Sequence, residues 1–176
     1  MKNLINHKDR VFIAGSTGMC GSAIVRSLKK RGYGHTLLTP TRKELDLENI
    51  IEIRNWFKIH KPTIVILAAA KVGGILANTN HPADFILNNL KIQTNVIETA
   101  WSLGVKRLLF LGSSCIYPKH AKQPIREEYL LESELEPTNE CYAIAKIAGI
   151  KLCESLRKQY GFDAISLMPT NLYGPG

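Results

Sequence analysis

No stretch of the 176-residue chain approaches the roughly 18 uninterrupted apolar residues that a membrane helix needs. The opening MKNLINHKDR is too polar to form the apolar core of a signal peptide, so the expectation is a cytoplasmic protein without a membrane partner. The four cysteines, Cys20, Cys115, Cys141 and Cys153, form no CxxC pair and share no metal-ligand spacing with the five histidines. This argues against a zinc site or a disulfide framework and for reduced thiols. Repeats, linkers and low-complexity tracts are also missing. With 45% hydrophobic and 22% charged residues, the composition is that of a globular domain able to bury a core.

Acidic charge is in deficit. Twenty-three Lys and Arg against 15 Asp and Glu give a net charge of +8, which suits a nucleic acid or a phosphorylated small molecule. The basic residues are scattered, and the densest run, Lys29-Lys30-Arg31, falls where a helix ends and cations stabilise its dipole anyway. No RNA-binding aromatic motif accompanies them, so the small phosphorylated ligand is expected and nucleic acid is not.

Short Val, Ile and Leu runs alternate with longer segments of helical period. Strands are expected over Val11–Ala14, Thr36–Thr39, Ile64–Ala68, Arg107–Leu111 and Ala164–Leu167. Helices are expected over Met19–Arg31, Asn49–His60, Pro82–Leu103 and Tyr142–Tyr160, most of them closed by a following glycine. The alternation predicts an α/β protein with a Rossmann-type doubly wound parallel sheet, its ligand beyond the carboxyl ends of the strands. Residues 1–176 read as one domain. It ends at Tyr173-Gly174-Pro175-Gly176, directly after the fifth strand, so a sixth strand and a C-terminal substrate domain are expected to be lacking.

Gly15-Ser16-Thr17-Gly18-Met19-Cys20-Gly21 is a GxxGxxG between the first strand and the first helix. There glycines permit a tight turn, close approach of backbone to a pyrophosphate and close helix packing, while the helix start attracts the anion. An acidic residue about 20 positions on would accept the ribose of NAD. The corresponding segment is Thr39-Pro40-Thr41-Arg42-Lys43, in which Arg42, with Lys43 beside it, offers charge to a 2′-phosphate and points to NADP(H). Asp46 suits the adenine side and keeps NAD open; Arg42 as a merely solvated loop charge stays open too.

Tyr142-Ala143-Ile144-Ala145-Lys146 places a phenol and an ammonium at i and i+4, on one helix face. The spacing predicts a phenol pKa below its ordinary value of about 10 and a group able to exchange a proton with a carbonyl. Ser113, at the end of the fourth strand, is the expected hydrogen-bond partner of the reacting oxygen.

With these residues the chain resembles the extended short-chain dehydrogenases/reductases that act on nucleotide sugars. Ala68-Ala69-Ala70-Lys71-Val72-Gly73-Gly74-Ile75, Leu111-Gly112-Ser113-Ser114-Cys115-Ile116-Tyr117-Pro118, Pro137 to Lys146 and Met168 to Pro175 resemble the GDP-L-fucose synthase family within that class. The resemblance implies epimerisation of GDP-4-keto-6-deoxy-D-mannose at C3 and C5, then reduction at C4 by NADPH. It implies that Tyr142 protonates the C4 oxygen, Ser113 polarises it, Lys146 holds the nicotinamide ribose and tunes Tyr142, and Cys115 is one acid/base of the epimerisation. It also implies that Leu111, Gly112, Ser113 and Ser114, and Pro169, Thr170, Asn171 and Leu172, line the cofactor, and that the GDP-sugar is the substrate. That family commonly carries a basic residue in the glycine turn where this chain has Ser16-Thr17, and its second epimerisation acid/base is a histidine expected beyond Gly176. A homodimer is implied as well, through the Pro82–Leu103 and Tyr142–Tyr160 helices, on which Ile92, Val96, Ile147 and Ile150 read as apolar surface beyond one core face.

Overall fold

The computed structural model describes residues 5–175. Met1 to Leu4, part of the polar start considered above, and Gly176 lie outside the described residues. Five parallel strands, β1 (Val11–Ala14), β2 (Leu37–Leu38), β3 (Ile64–Leu67), β4 (Arg107–Leu111) and β5 (Ala164–Leu167), form one sheet in the order β2-β1-β3-β4-β5. The register is continuous across its centre: Ile66 lies beside Ile13 on one side and Leu109 on the other. β2 shrinks from the expected four residues to Leu37–Leu38, an edge pairing broken off by Pro40.

Five α-helices accompany the strands: α1 (Met19–Lys30), α2 (Ile50–His60), α3 (Ile75–Asn80), α4 (Pro82–Ser102) and α5 (Glu140–Tyr160). Asn49 caps α2, its side chain accepting from the N–H groups of Ile51 and Glu52. Gly161, with φ at 69°, terminates α5 in the left-handed conformation. α3 was not expected from the sequence, and α5 begins two residues before Tyr142. No helix among the described residues is long and apolar enough to cross a membrane.

The larger core lies on one face of the sheet, where Phe12, Val65, Leu67, Leu108 and Phe110 meet Ile53 and Phe57 of α2, Val96 and Ile97 of α4, and Ile147 and Ile150 of α5. The smaller core lies on the other face, with Val11, Ile13, Ile64 and Ile66 under Ile24, Val25 and Leu28 of α1. This corrects the apolar surface expected on α4 and α5. Val96, Ile147 and Ile150 are buried against the sheet and Ile92 is half-buried beside them; the large hydrophobic residues that these helices expose are Leu87, Ile144 and Tyr160. The order of the strands reverses between β1 and β3, and the crevice beyond their carboxyl ends is the place where this topology binds ligands.

Candidate active site

A cleft of about 810 Å³ opens at that switch point. At one end is the turn from β1 to α1. Gly15 has φ of +81°, and a Cβ there would stand 2.7 Å from the Ala69 nitrogen. A Cβ on Gly21 would stand 2.0 Å from the Gly15 carbonyl oxygen, so the turn closes only with hydrogen at both positions. Gly18 is the N-cap of α1 and offers no side chain to it, and the first turn holds no acidic residue. The N–H groups of that turn and the positive end of the helix dipole are therefore available to an anion. Gly15, Thr17, Gly18, Met19, Cys20 and Gly21 line the cleft. Ser16 does not: it is buried, and its hydroxyl donates to the Thr39 carbonyl at 3.4 Å, tying the turn to the end of β2.

The loop after β2 brings Arg42 and Asp46 to the cleft wall, without Lys43. The Arg42 guanidinium donates to Oε1 of Glu48 at 3.1 Å, and its side chain remains 84% exposed. Asp46 accepts the Glu48 N–H at 2.9 Å and so also shapes the turn into α2.

At the inner end, Leu111, Gly112 and Ser113 of β4 and its extension face Tyr142 and Lys146 of α5 across the cleft. A Cβ on Gly149 would lie 2.6 Å from the Phe110 ring, and this bare position lets α5 settle against β4. Lys146, 4% exposed, donates to the Leu111 carbonyl at 2.7 Å and lies 4.8 Å from the centre of the Phe110 ring. Ser113 faces Tyr142 across the inner end of the cleft, and its hydroxyl accepts from the Cys115 thiol at 3.0 Å. Cys115 itself does not line the cleft. Ser114 belongs instead to a neighbouring hollow of about 290 Å³ with Tyr117, Ser166 and Thr170. Pro169, Thr170, Asn171 and Leu172 complete the cleft beyond β5.

The electrostatics correct the expected phenol. Burial pushes Tyr142 up to about 12, the nearby Cys115 adds to the rise, and the Ser113 hydroxyl offsets only part of it. An ammonium four residues along the helix from a phenol acts only if it stays charged, and here burial lowers Lys146 to about 8. Its nitrogen lies 5.7 Å from the Tyr142 ring centre and points to a backbone carbonyl. Burial likewise raises the Cys115 thiol, against the Ser113 hydrogen bond and the charge of Lys146. At neutral pH the site holds a protonated phenol, a protonated thiol and a largely protonated amine.

Sequence reasoning took the segment after β3 as a mark of resemblance only, and gave no site role to it or to the neighbours of Asp46 in the turn before α2. Ala68, Ala69, Ala70, Val72 and Gly73 line the cleft, as do Leu45, Leu47 and Glu48. Asn89 of α4 fixes the first of these segments, its side chain accepting the Lys71 N–H at 2.8 Å and donating to the Lys71 carbonyl at 2.9 Å. The usable signal for Ala68 to Gly73 was position, since the triple alanine directly follows a strand at its ligand-facing end.

Residues 11–176 match the NAD dependent epimerase/dehydratase family. GDP-L-fucose synthase 1 of Arabidopsis thaliana is 61% identical over 94% of the chain and 51% of its own length. GDP-L-fucose synthase of Escherichia coli strain K12 is 59% identical over 96% of the chain and 52% of its own. A GDP-D-glycero-L-gluco-heptose synthase from Campylobacter jejuni, solved in the presence of NADPH, superposes with a TM-score of 0.93 at 44% identity, covering 97% of the chain and 49% of that protein. The chain thus spans about half the length of the curated relatives it matches.

Proposed function

The chain belongs to the NAD dependent epimerase/dehydratase family, and from that premise we propose that it serves NADPH-dependent 3,5-epimerisation and 4-reduction of GDP-4-keto-6-deoxy-D-mannose, giving GDP-L-fucose. Residues 1–176 are its NADP-binding Rossmann domain. The observation that carries the reading is the convergence of Ser113, Tyr142 and Lys146, with the Cys115 thiol hydrogen-bonded to Ser113 behind them, at one end of a cleft whose other end is an uncapped glycine turn. The likeness to two GDP-L-fucose synthases at about 60% identity supports the substrate, and the neighbour solved with NADPH supports the coenzyme.

The residues present fit a dinucleotide. The cleft has the size of a cofactor site, the α1 N-terminus is bare for a pyrophosphate, and Arg42 stands where a 2′-phosphate would lie. When bound, NADPH supplies the hydride that C4 of the sugar receives. Tyr142, protonated well beyond neutral pH, gives its proton to the C4 oxygen as the carbonyl becomes an alcohol. Ser113 hydrogen-bonds the same oxygen. The same polarisation acidifies the hydrogens on C3 and C5, so an enol forms when a base removes one of them and an acid returns a proton to the opposite face. Cys115, held as a thiol by burial, is one of that acid/base pair. Lys146 holds the ribose hydroxyls beside Tyr142.

A second copy is proposed to pack on α4 and α5, where Leu87 is 52% exposed and Ile144 41% exposed, and the protein is assigned to the cytoplasm, in keeping with its four free thiols. The deciding assay joins residues 1–176 to the C-terminal half of a GDP-L-fucose synthase relative, which supplies the histidine that the resemblance puts beyond Gly176, offers it the keto sugar with NADPH and identifies the nucleotide sugars formed. GDP-L-fucose is expected. Cys115→Ser should leave C4 reduction and abolish epimerisation, and Tyr142→Phe should slow reduction by about 10²- to 10⁴-fold. Equal loss of both steps in Cys115→Ser, or unchanged reduction in Tyr142→Phe, overturns the assignment.

A further inference from the structure

Resting on the dinucleotide reading above, we infer that Glu48 sets the coenzyme preference of this chain by competing for Arg42, holding the preference for a 2′-phosphate below what Arg42 alone would give. At the end of the cleft next to β2 the lining side chains include a single cation, Arg42, and two carboxylates, Asp46 and Glu48. The glycine turn opposite adds Thr17 and no charge.

Glu48 is fixed where it stands. Its Oε2 accepts from the Asn88 amide of α4 at 2.6 Å, its backbone N–H donates to Asp46 at 2.9 Å, and its carbonyl accepts from Asn95 at 3.1 Å. Its side chain is 21% exposed, against 84% for Arg42. The pair is thus an anchored acid and a loose base. Arg42 meets Glu48 through one guanidinium nitrogen at 3.1 Å. A phosphate claiming that guanidinium must share it with a carboxylate that Asn88 prevents from swinging away, and must also bear the repulsion between that carboxylate and its own charge of nearly −2. A coenzyme without the phosphate bears neither burden, and its ribose hydroxyls can donate to the same carboxylates. Glu48 therefore disfavours one coenzyme and is neutral or favourable to the other, which makes it a specificity-determining residue.

Glu48→Gln tests this. The amide has the same shape and its oxygen still accepts from Asn88, so the fold is retained while the charge is lost. Titration calorimetry of the whole chain with adenosine 2′,5′-bisphosphate and with AMP isolates this end of the cleft from the catalytic end. NADPH and NADH fluorescence titrations run alongside. Expected is about three- to tenfold tighter binding of the bisphosphate in Glu48→Gln, with AMP unchanged or weaker. In an Arg42→Ala background most of that gain should vanish. Weaker bisphosphate binding in Glu48→Gln would mean that Glu48 pre-orients Arg42 for phosphate, and it overturns the inference. A bisphosphate-to-AMP ratio equal to that of the unmodified chain overturns it as well, while leaving the dinucleotide reading standing. Failure of the unmodified chain to bind any of the four ligands overturns both.

Discussion

Two halves of one sheet are built differently. In β1 and β3 every residue is buried. In β4 burial alternates with partial exposure, and β5 ends on exposed Leu167. α1 covers Val11, Ile13, Ile64 and Ile66 on its face of the sheet, but Leu109, next to Ile66 in register, is only half-buried there. The glycine turn thus grows from strands clamped on both faces, whereas Ser113 follows a strand clamped mainly from the α4–α5 side. The glycine-turn end of the cleft is fixed by backbone contacts that no side chain could replace, and the Tyr142–Lys146 end by the seating of α5 on β4.

The contrast is broken most severely at the turn itself. Gly21→Val would push a Cβ to 2.0 Å from the Gly15 carbonyl oxygen and 3.0 Å from the Ser16 Cα, all backbone that cannot swing aside. A loss of stability of about 3 kcal/mol or more is expected, with no residual dinucleotide binding. Denaturant unfolding and a coenzyme titration check both; a variant that keeps wild-type stability would show that the turn is not clamped.

The neighbours Ile66 and Leu109 sharpen the comparison on one face. Ile66→Ala opens a cavity under α1 and should cost about 2–4 kcal/mol, whereas Leu109→Ala, with solvent already beside it, should cost about 1 kcal/mol. Denaturation midpoints of the two variants measure the difference directly. Equal costs would mean that the face over β4 is as well packed as the face over β1 and β3.

What the sequence made legible was what is local along the chain. The runs at Val11–Ala14, Arg107–Leu111 and Ala164–Leu167 matched their strands to the residue. The glycine turn, Ser113, Tyr142 and Lys146 announced themselves through spacing and through their place at strand ends. α3 escaped notice because it is six residues long, begins after two glycines and exposes Ile75 and Leu76, so it writes no amphipathic period. Glu48 escaped because its meaning comes from Asn88, 40 residues away. The i,i+4 spacing of Tyr142 and Lys146 was legible, but the direction of the phenol's shift was not, since burial decides it and burial is set by packing between segments distant in the chain.

Lys146 offers the gentlest probe of the catalytic half. Its amine titrates near 8 in the folded chain and at the ordinary 10.5 when unfolded. Below pH 8 both states are protonated, and the folded state bears the full cost of a buried charge. As pH rises from about 8 to 10.5 the folded amine is neutral while the unfolded one still holds its proton, so the contribution of Lys146 to stability increases with pH over that window. The buried thiols turn the curve over first, because Cys153 at about 11 when folded and 9.0 when unfolded, with Cys115 raised likewise, makes stability fall above pH 9, and Tyr142, at about 12 and 10, adds to the fall above pH 10. Denaturant unfolding from pH 7 to 9 should therefore show a rise in the unmodified chain and none in Lys146→Met, while above pH 9 the thiols pull both curves down. At pH 7 the variant should be the more stable by about 1–2 kcal/mol, less than the full cost of the buried charge because the Leu111 carbonyl loses its donor. A stabilised variant that also loses the proposed reduction would mark Lys146 as a charge retained for chemistry at the expense of the fold. A destabilised one would mean that the Leu111 hydrogen bond outweighs the burial of the ammonium, and that the α5–β4 contact is held together by the very group that the cleft uses.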